Sequence, residues 1–121
     1  GDFFGLLAPY APPPPPGALP PLLWGTEEHV RTLFGSRVES LEMTRREYVE
    51  SAVSPEAYVD LFKTTFGPMV AIRASLAERP ERAAALDRDF LGFVKRANRG
   101  APAGPVQIPY EYLLVLARKR R

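Results

Sequence analysis

Val106-Gln107-Ile108-Pro109-Tyr110-Glu111-Tyr112-Leu113-Leu114-Val115-Leu116-Ala117 is apolar at nearly every position from Tyr110 onward, so both of its alternating faces are hydrophobic. A strand with that pattern is expected to be covered on both sides, inside a sheet and not at its border. A second extended stretch, Val38 to Ser51, reads differently. Leu41 and Met43 point one way, and Ser40, Glu42 and Thr44 the other. The phase shifts at Tyr48 and Val49, which predicts a bulge or a change of burial. Its charges (Glu39, Glu42, Arg45, Arg46, Glu47, Glu50) mark an edge strand protected against further pairing. One edge strand and one interior strand, separated by helical patterns, give an α+β reading.

The segment between the strands is helical. Ser54-Pro55-Glu56 supplies an N-cap, a proline at the first helical position and an acid for the first turn. Tyr58, Leu61, Phe62, Phe66, Met69, Ile72 and Leu76 follow at helical spacing. Gly67-Pro68 interrupts them, because Pro68 cannot donate to the carbonyl of Thr64 and its ring crowds it, so the helix kinks or splits. Pro80-Glu81 starts another helix, with Ala83, Leu86, Phe90, Phe93, Val94 and Ala97 as its buried stripe and Gly100 as its stop. The insertion between the strands is therefore two to three helices.

Upstream, Asp2 to Tyr10 reads as the last turns of a helix. Pro12 to Pro16, Pro20 and Pro21 are expected to run extended as a stiff connector, since proline has no N–H to give a helix or an inner strand. A short helix follows, capped by Thr26, with Glu27 and Glu28 at its positive end, Gly35 as its stop, and Val30, Leu33 and Phe34 as its buried stripe.

The chain has 121 residues, so one domain is the default, and 45% hydrophobic residues fit a globular protein. The net charge is +2, and the only dense basic run is Arg118-Lys119-Arg120-Arg121, a tail without a basic face. Nucleic-acid binding is therefore not expected. With no cysteine there is no disulfide, thiol nucleophile or thiolate metal site. His29 is the sole histidine, and nothing around it builds a triad or a zinc site. The apolar runs fall short of the ~20 residues that span a bilayer, and no charged segment precedes an apolar stretch at the start. A cytoplasmic protein without membrane partners is the expectation. The sequence contains no G-x-G-x-x-G, P-loop, H-E-x-x-H or G-x-S-x-G motif.

Three constellations could carry chemistry. Trp24-Gly25-Thr26 with His29 one turn later could place a general base, although a histidine at the third helical position is more often an exposed structural residue. Tyr58, Phe62 and Phe66, spaced i, i+4, i+8, could wall a substrate pocket, although such stripes more often build core. Tyr110 and Tyr112 share one face of the last strand, where packing plus one hydrogen bond is the ordinary role.

Trp24-Gly25-Thr26-Glu27-Glu28-His29-Val30-Arg31-Thr32-Leu33-Phe34-Gly35 resembles a segment of class I S-adenosylmethionine-dependent methyltransferases of the ubiquinone/menaquinone-biosynthesis type, in particular those of actinobacterial genomes. The resemblance continues in order through Thr44-Arg45-Arg46, Ser54-Pro55-Glu56-Ala57-Tyr58, Phe66-Gly67-Pro68, Asn98-Arg99 and Pro109-Tyr110-Glu111-Tyr112-Leu113. It implies a seven-stranded sheet whose last strand is antiparallel and lies between the fifth and sixth. This chain would then begin after the fifth strand, as a partial helix and proline-rich connector (1–25) followed by a C-terminal substrate-cap part (26–121). It would supply the antiparallel sixth and seventh strands. The glycine-rich cofactor turn and the ribose-binding acid of the family are not in this sequence. The resemblance thus implies S-adenosylmethionine for the full-length enzyme and none for this chain alone, and it assigns no catalytic, cofactor-binding or metal residue here. Trp24, His29, Tyr58, Phe62 and Phe66 are the candidate substrate-binding residues, for a small-molecule substrate. A self-standing α+β interaction or ligand-binding module of the same ancestry is the alternative. With the fifth strand missing, the unpartnered edge of the last strand predicts a homodimer, the alternative being an N-terminal segment that folds back to cover the edge; a stable monomer would favour the self-standing module.

Overall fold

The computed structural model describes residues 2–121. Its elements run α1 (Asp2–Leu7), a 3-10 turn (Pro21–Gly25), α2 (Glu27–Phe34), a second 3-10 turn (Gly35–Arg37), β1 (Val38–Ala52), α3 (Pro55–Thr65), α4 (Gly67–Ser75), α5 (Pro80–Ala97) and β2 (Val106–Lys119). β1 and β2 form a two-stranded antiparallel sheet, so the fold is α+β. The insertion between the strands is three helices. No helix among the described residues is long and apolar enough to cross a membrane.

The contacts divide the chain into two compact units. One takes the residues up to Pro14 with Val49–Pro109; the other takes Pro15–Tyr48 with Tyr110–Arg121. The first contains nearly all of the fully buried side chains, with α1 and α3 packed on α5 and α4 on α3. The Ser54 hydroxyl accepts from the Ala57 N–H at 3.1 Å, the expected cap of α3. Phe66 stands between α3 and α4 in extended conformation (φ −85°, ψ 106°). It closes α3 by donating to the Phe62 carbonyl and opens α4 by accepting from Val70. Pro68 thus splits the helix as expected, and it sits in the first turn of α4, where a missing N–H costs nothing. Tyr58, Phe62, Met69, Ile72 and Leu76 are buried, whereas Leu61 turns outward at 42% exposure.

Four local expectations need correction. Pro21 opens a 3-10 turn instead of continuing the extended tract, which proline tolerates at a helical first position. The Thr26 hydroxyl donates back to the Leu23 carbonyl at 2.7 Å, so the N-cap position of α2 is filled without a side-chain cap. Of the proposed α2 stripe only Val30 is buried; Leu33 is exposed and Phe34 half-buried, because eight residues give one buried turn. Gly35 does take a positive φ of 30°, as its role as a stop requires. α5 ends at Ala97, not at Gly100. Gly100 is needed for close approach, since a Cβ there would lie 2.5 Å from the Pro105 carbonyl oxygen.

β2 corrects the largest expectation. Val106 and Ile108 are buried in the first unit. In the second unit Leu113 and Val115 are half-buried, whereas Tyr112, Leu114 and Leu116 are 47%, 38% and 59% exposed. β2 is therefore not covered on both faces: its two apolar faces are used one at a time along its length. β1 shows the matching change, with Leu41 and Met43 half-buried near its start and Glu50 and Ala52 near its end. This is the phase shift expected around Tyr48 and Val49. The second unit holds its two strands together with side chains as well, through the Arg45–Glu111 ion pair at 2.8 Å and an Arg120 Nε donation to the Val38 carbonyl at 3.1 Å.

Candidate functional site

In the first unit the capped start of α3 sets the helical phase, and the i, i+4, i+8 spacing then lines up Tyr58, Phe62 and Phe66. Tyr58 stacks on Phe62 with ring centroids 4.6 Å apart, and Phe62 lies 5.2 Å from Phe66. Phe90 of α5 approaches Phe62 at 5.7 Å. Phe3 of α1 enters this layer and meets Phe62, Phe66, Phe90 and Phe93 at 5.3–5.8 Å. These separations are those of favourable offset and edge-to-face ring pairs. Tyr58 and Phe62 are interior, and Phe66 is half-buried at the rim. Tyr58 also directs its hydroxyl toward Glu50 Oε2 at 3.5 Å.

Two recesses open on this unit. One, of about 410 Å³, is lined by Asp2, Leu6, Phe93, Arg96 and Ala97, so an aromatic wall stands beside one carboxylate and one guanidinium. The other, of about 190 Å³, lies over α3 and α5 among Glu56, Val59, Asp60, Lys63, Asp87, Arg88 and Leu91. Lys63 and Asp87 of this lining belong to an ion-pair knot. Asp87 holds Lys63 at 2.9 Å with one oxygen and Arg73 with the other, linking all three inserted helices. Glu56 at its rim is held below the usual glutamate range, first by the donation of its own backbone N–H and then by Lys95, 3.4 Å away.

In the second unit Trp24 closes the 3-10 turn and meets His29 of α2 edge-on at 6.0 Å. Trp24 is 59% exposed, and His29 is half-buried and not fully exposed as expected. Tyr110 is half-buried and Tyr112 exposed on β2. The five candidate substrate-binding residues thus fall into two groups. Tyr58, Phe62 and Phe66 belong to one unit, and Trp24 and His29 to the other.

Sequence reasoning missed three features of the first unit: Phe3 as the keystone of the aromatic layer, the Asp87 knot, and Tyr10. The Tyr10 hydroxyl donates to Asp89 of α5, and its ring faces Arg82 at 5.8 Å to the guanidinium carbon. Each joins residues far apart in the chain, so no local pattern could have signalled it. A Cβ at Gly5, Gly17, Gly25, Gly35 or Gly67 would meet nothing within 4 Å, and the crowded position, Gly100, is crowded by the chain's own Pro105.

No protein-family model matches the chain, and no solved structure matches it at a significant level. It is similar to the uncharacterized protein Rv1403c of Mycobacterium tuberculosis (strain ATCC 25618 / H37Rv), 31% identical over 120 residues, which is 98% of this chain and 42% of that protein. It is also similar to the uncharacterized protein Rv1405c of the same organism, 31% identical over 121 residues, which is 99% of this chain and 42% of that protein. A relative in Mycobacterium bovis (strain ATCC BAA-935 / AF2122/97), the uncharacterized protein Mb1438c, is 31% identical over 120 residues, with 98% and 42% covered. The chain spans 42% of the length of these curated relatives.

Proposed function

We propose that this chain is the C-terminal, substrate-cap part of a cytoplasmic class I S-adenosylmethionine-dependent methyltransferase acting on a small molecule, inactive by itself. The observation that carries this reading is the order β1–α3–α4–α5–β2: two long antiparallel strands with a three-helix insertion between them. That is the arrangement expected of the sixth and seventh strands with a cap inserted between, and the ordered series of family-like segments runs along it. The length of the relatives supports it too, since each has more than half of its chain outside the matched region, enough for a cofactor-binding half. Caps of this kind contribute to substrate selection and not to the chemistry of transfer. Among the five candidate residues, Phe66 in the first unit and Trp24 and His29 in the second each retain accessible surface, whereas Tyr58 and Phe62 would fix the shape of the first unit from within.

Calorimetric titration tests the reading in two arms. Full-length Rv1403c should bind S-adenosylmethionine with micromolar affinity, and the 121-residue chain should not. Failure of the full-length relative to bind, or binding by this chain alone, overturns it.

The second reading, a self-standing α+β interaction or ligand-binding module, is favoured by the closure of the first unit's core around Phe3 and by the absence, among the described residues, of a buried side-chain polar atom without a partner. A cooperative thermal transition of the 121-residue chain, together with a full-length relative that ignores S-adenosylmethionine, would select it.

A further inference from the structure

The free border of β2 is treated differently at its two ends. At the start, Gln107 has both backbone groups engaged from outside the sheet: its N–H donates to Asn98 Oδ1 at 2.8 Å, and its carbonyl accepts from the Arg99 N–H at 2.9 Å. Alternate residues of a strand aim their backbone groups at the same border, so Gln107 identifies the odd-numbered residues as those facing away from β1. The next is Pro109, which has no N–H to offer and is tolerated on a border for that reason. From there Glu111, Leu113, Val115, Ala117 and Lys119 follow, and among the described residues none has a backbone partner outside the β1–β2 ladder. Capping by Asn98 and blunting by Pro109 stop short of this stretch, which remains a template for another strand.

We propose that the occupant of this border is a second copy of the same strand, paired antiparallel about a two-fold axis at Val115. The charge pattern selects the partner and the register. Border-facing residues must lie opposite border-facing residues, so only registers in which odd positions meet odd positions are allowed. Among these, centring on Val115 alone places Glu111 opposite Lys119, and the two-fold axis makes that pair twice. Ala117 then lies opposite Leu113, and Leu114 opposite Leu116, so the apolar middle of each strand meets that of the other. Tyr112 comes opposite Arg118, a cation facing a ring. The carboxylate of Glu111 is already anchored by Arg45, which fixes its position without using its second oxygen. The strand carries its acid before the apolar run and its bases after it, which is the pattern that pairs with itself in antiparallel orientation. The pairing is that of the 121-residue chain by itself; in the full-length enzyme of the methyltransferase reading the fifth strand would take this border instead.

Sedimentation equilibrium of the purified chain at micromolar to ~100 μM concentrations, a range that brackets weak specific association, tests the pairing. The wild type should be a dimer. Glu111→Lys and Lys119→Glu should each weaken dimerisation about tenfold, because two attractive cross-strand pairs become repulsive. The double variant E111K/K119E should restore it. Ala117→Pro removes one border-facing N–H without touching the β1 ladder and should give a monomer with an unchanged far-ultraviolet circular dichroism spectrum. A monomeric wild type overturns the proposal, as does a double variant no tighter than the single ones. If Ala117→Pro does not fold, the charge exchange still decides the outcome.

Discussion

Tyr10 donates its phenolic hydrogen to the carboxylate of Asp89, tying the end of the N-terminal segment to the middle of α5. The neighbouring Arg82 strengthens the tie through its contact with the Tyr10 ring and a donation to the Pro9 carbonyl at 2.8 Å. The bond raises the tyrosine pKa above its ordinary value, first because the carboxylate accepts its proton, then because of burial and the negative charge of Asp89, with Arg82 and Arg88 opposing.

This gives a prediction with a defined pH dependence. Tyr10→Phe should destabilise the chain by about 1 kcal/mol at neutral pH, the usual worth of a partly exposed hydrogen bond. The raised value means that the neutral phenol is favoured in the folded state. Its contribution is complete below the unfolded tyrosine pKa and disappears as pH rises through the folded one. Urea denaturation of both proteins across the alkaline range should show the difference shrinking to zero. A difference that stays constant would assign the loss to packing.

Phe3→Ala should be the most damaging single truncation in the N-terminal segment. It removes one ring in contact with Phe62, Phe66, Phe90 and Phe93. The expected loss is about 3 kcal/mol, from lost burial and the gap it leaves. Phe4→Ala, on the exposed side of the same helix, should change stability little. Equal losses for the two variants in denaturant titrations would contradict the packing.

Asp87→Asn should cost about 1–3 kcal/mol, because it leaves Lys63 and Arg73 facing each other without the shared carboxylate. All three groups are partly shielded, so salt should reduce the effect without abolishing it. Chemical denaturation at low and high ionic strength measures this. A variant as stable as wild type at low salt would mean that the knot contributes nothing.

Gly100→Ala should cost about 1–3 kcal/mol, because the new methyl would meet the Pro105 carbonyl oxygen and force the loop open. The same movement should loosen the Asn98 and Arg99 bonds to Gln107. Hydrogen exchange at the Gln107 amide should accelerate more than at Val94, within α5. Unchanged exchange at Gln107 would separate the glycine from the cap.

Several elements were determined by the sequence alone, because their causes are local. Ser54, Pro55 and Glu56 start α3 through a cap, a fixed φ and a charge at the helix end. Pro68 ends it by withholding one N–H, and the spacing of Tyr58, Phe62 and Phe66 sets their common face. The extended character of β1 followed from side-chain alternation, and that of β2 from a short, nearly continuous apolar run. Tertiary structure decided what covers those elements. Leu113 and Leu114 are alike in sequence, yet one is half-buried and the other exposed, because burial on a strand depends on what packs against each face. Gly100 read as a helix stop because nothing local reveals Pro105 beside it. Phe3, Tyr10 and Asp87 gained their roles from partners well outside their own turns of chain. Contacts of that range are fixed by how the helices pack, and side-chain periodicity carries no record of them.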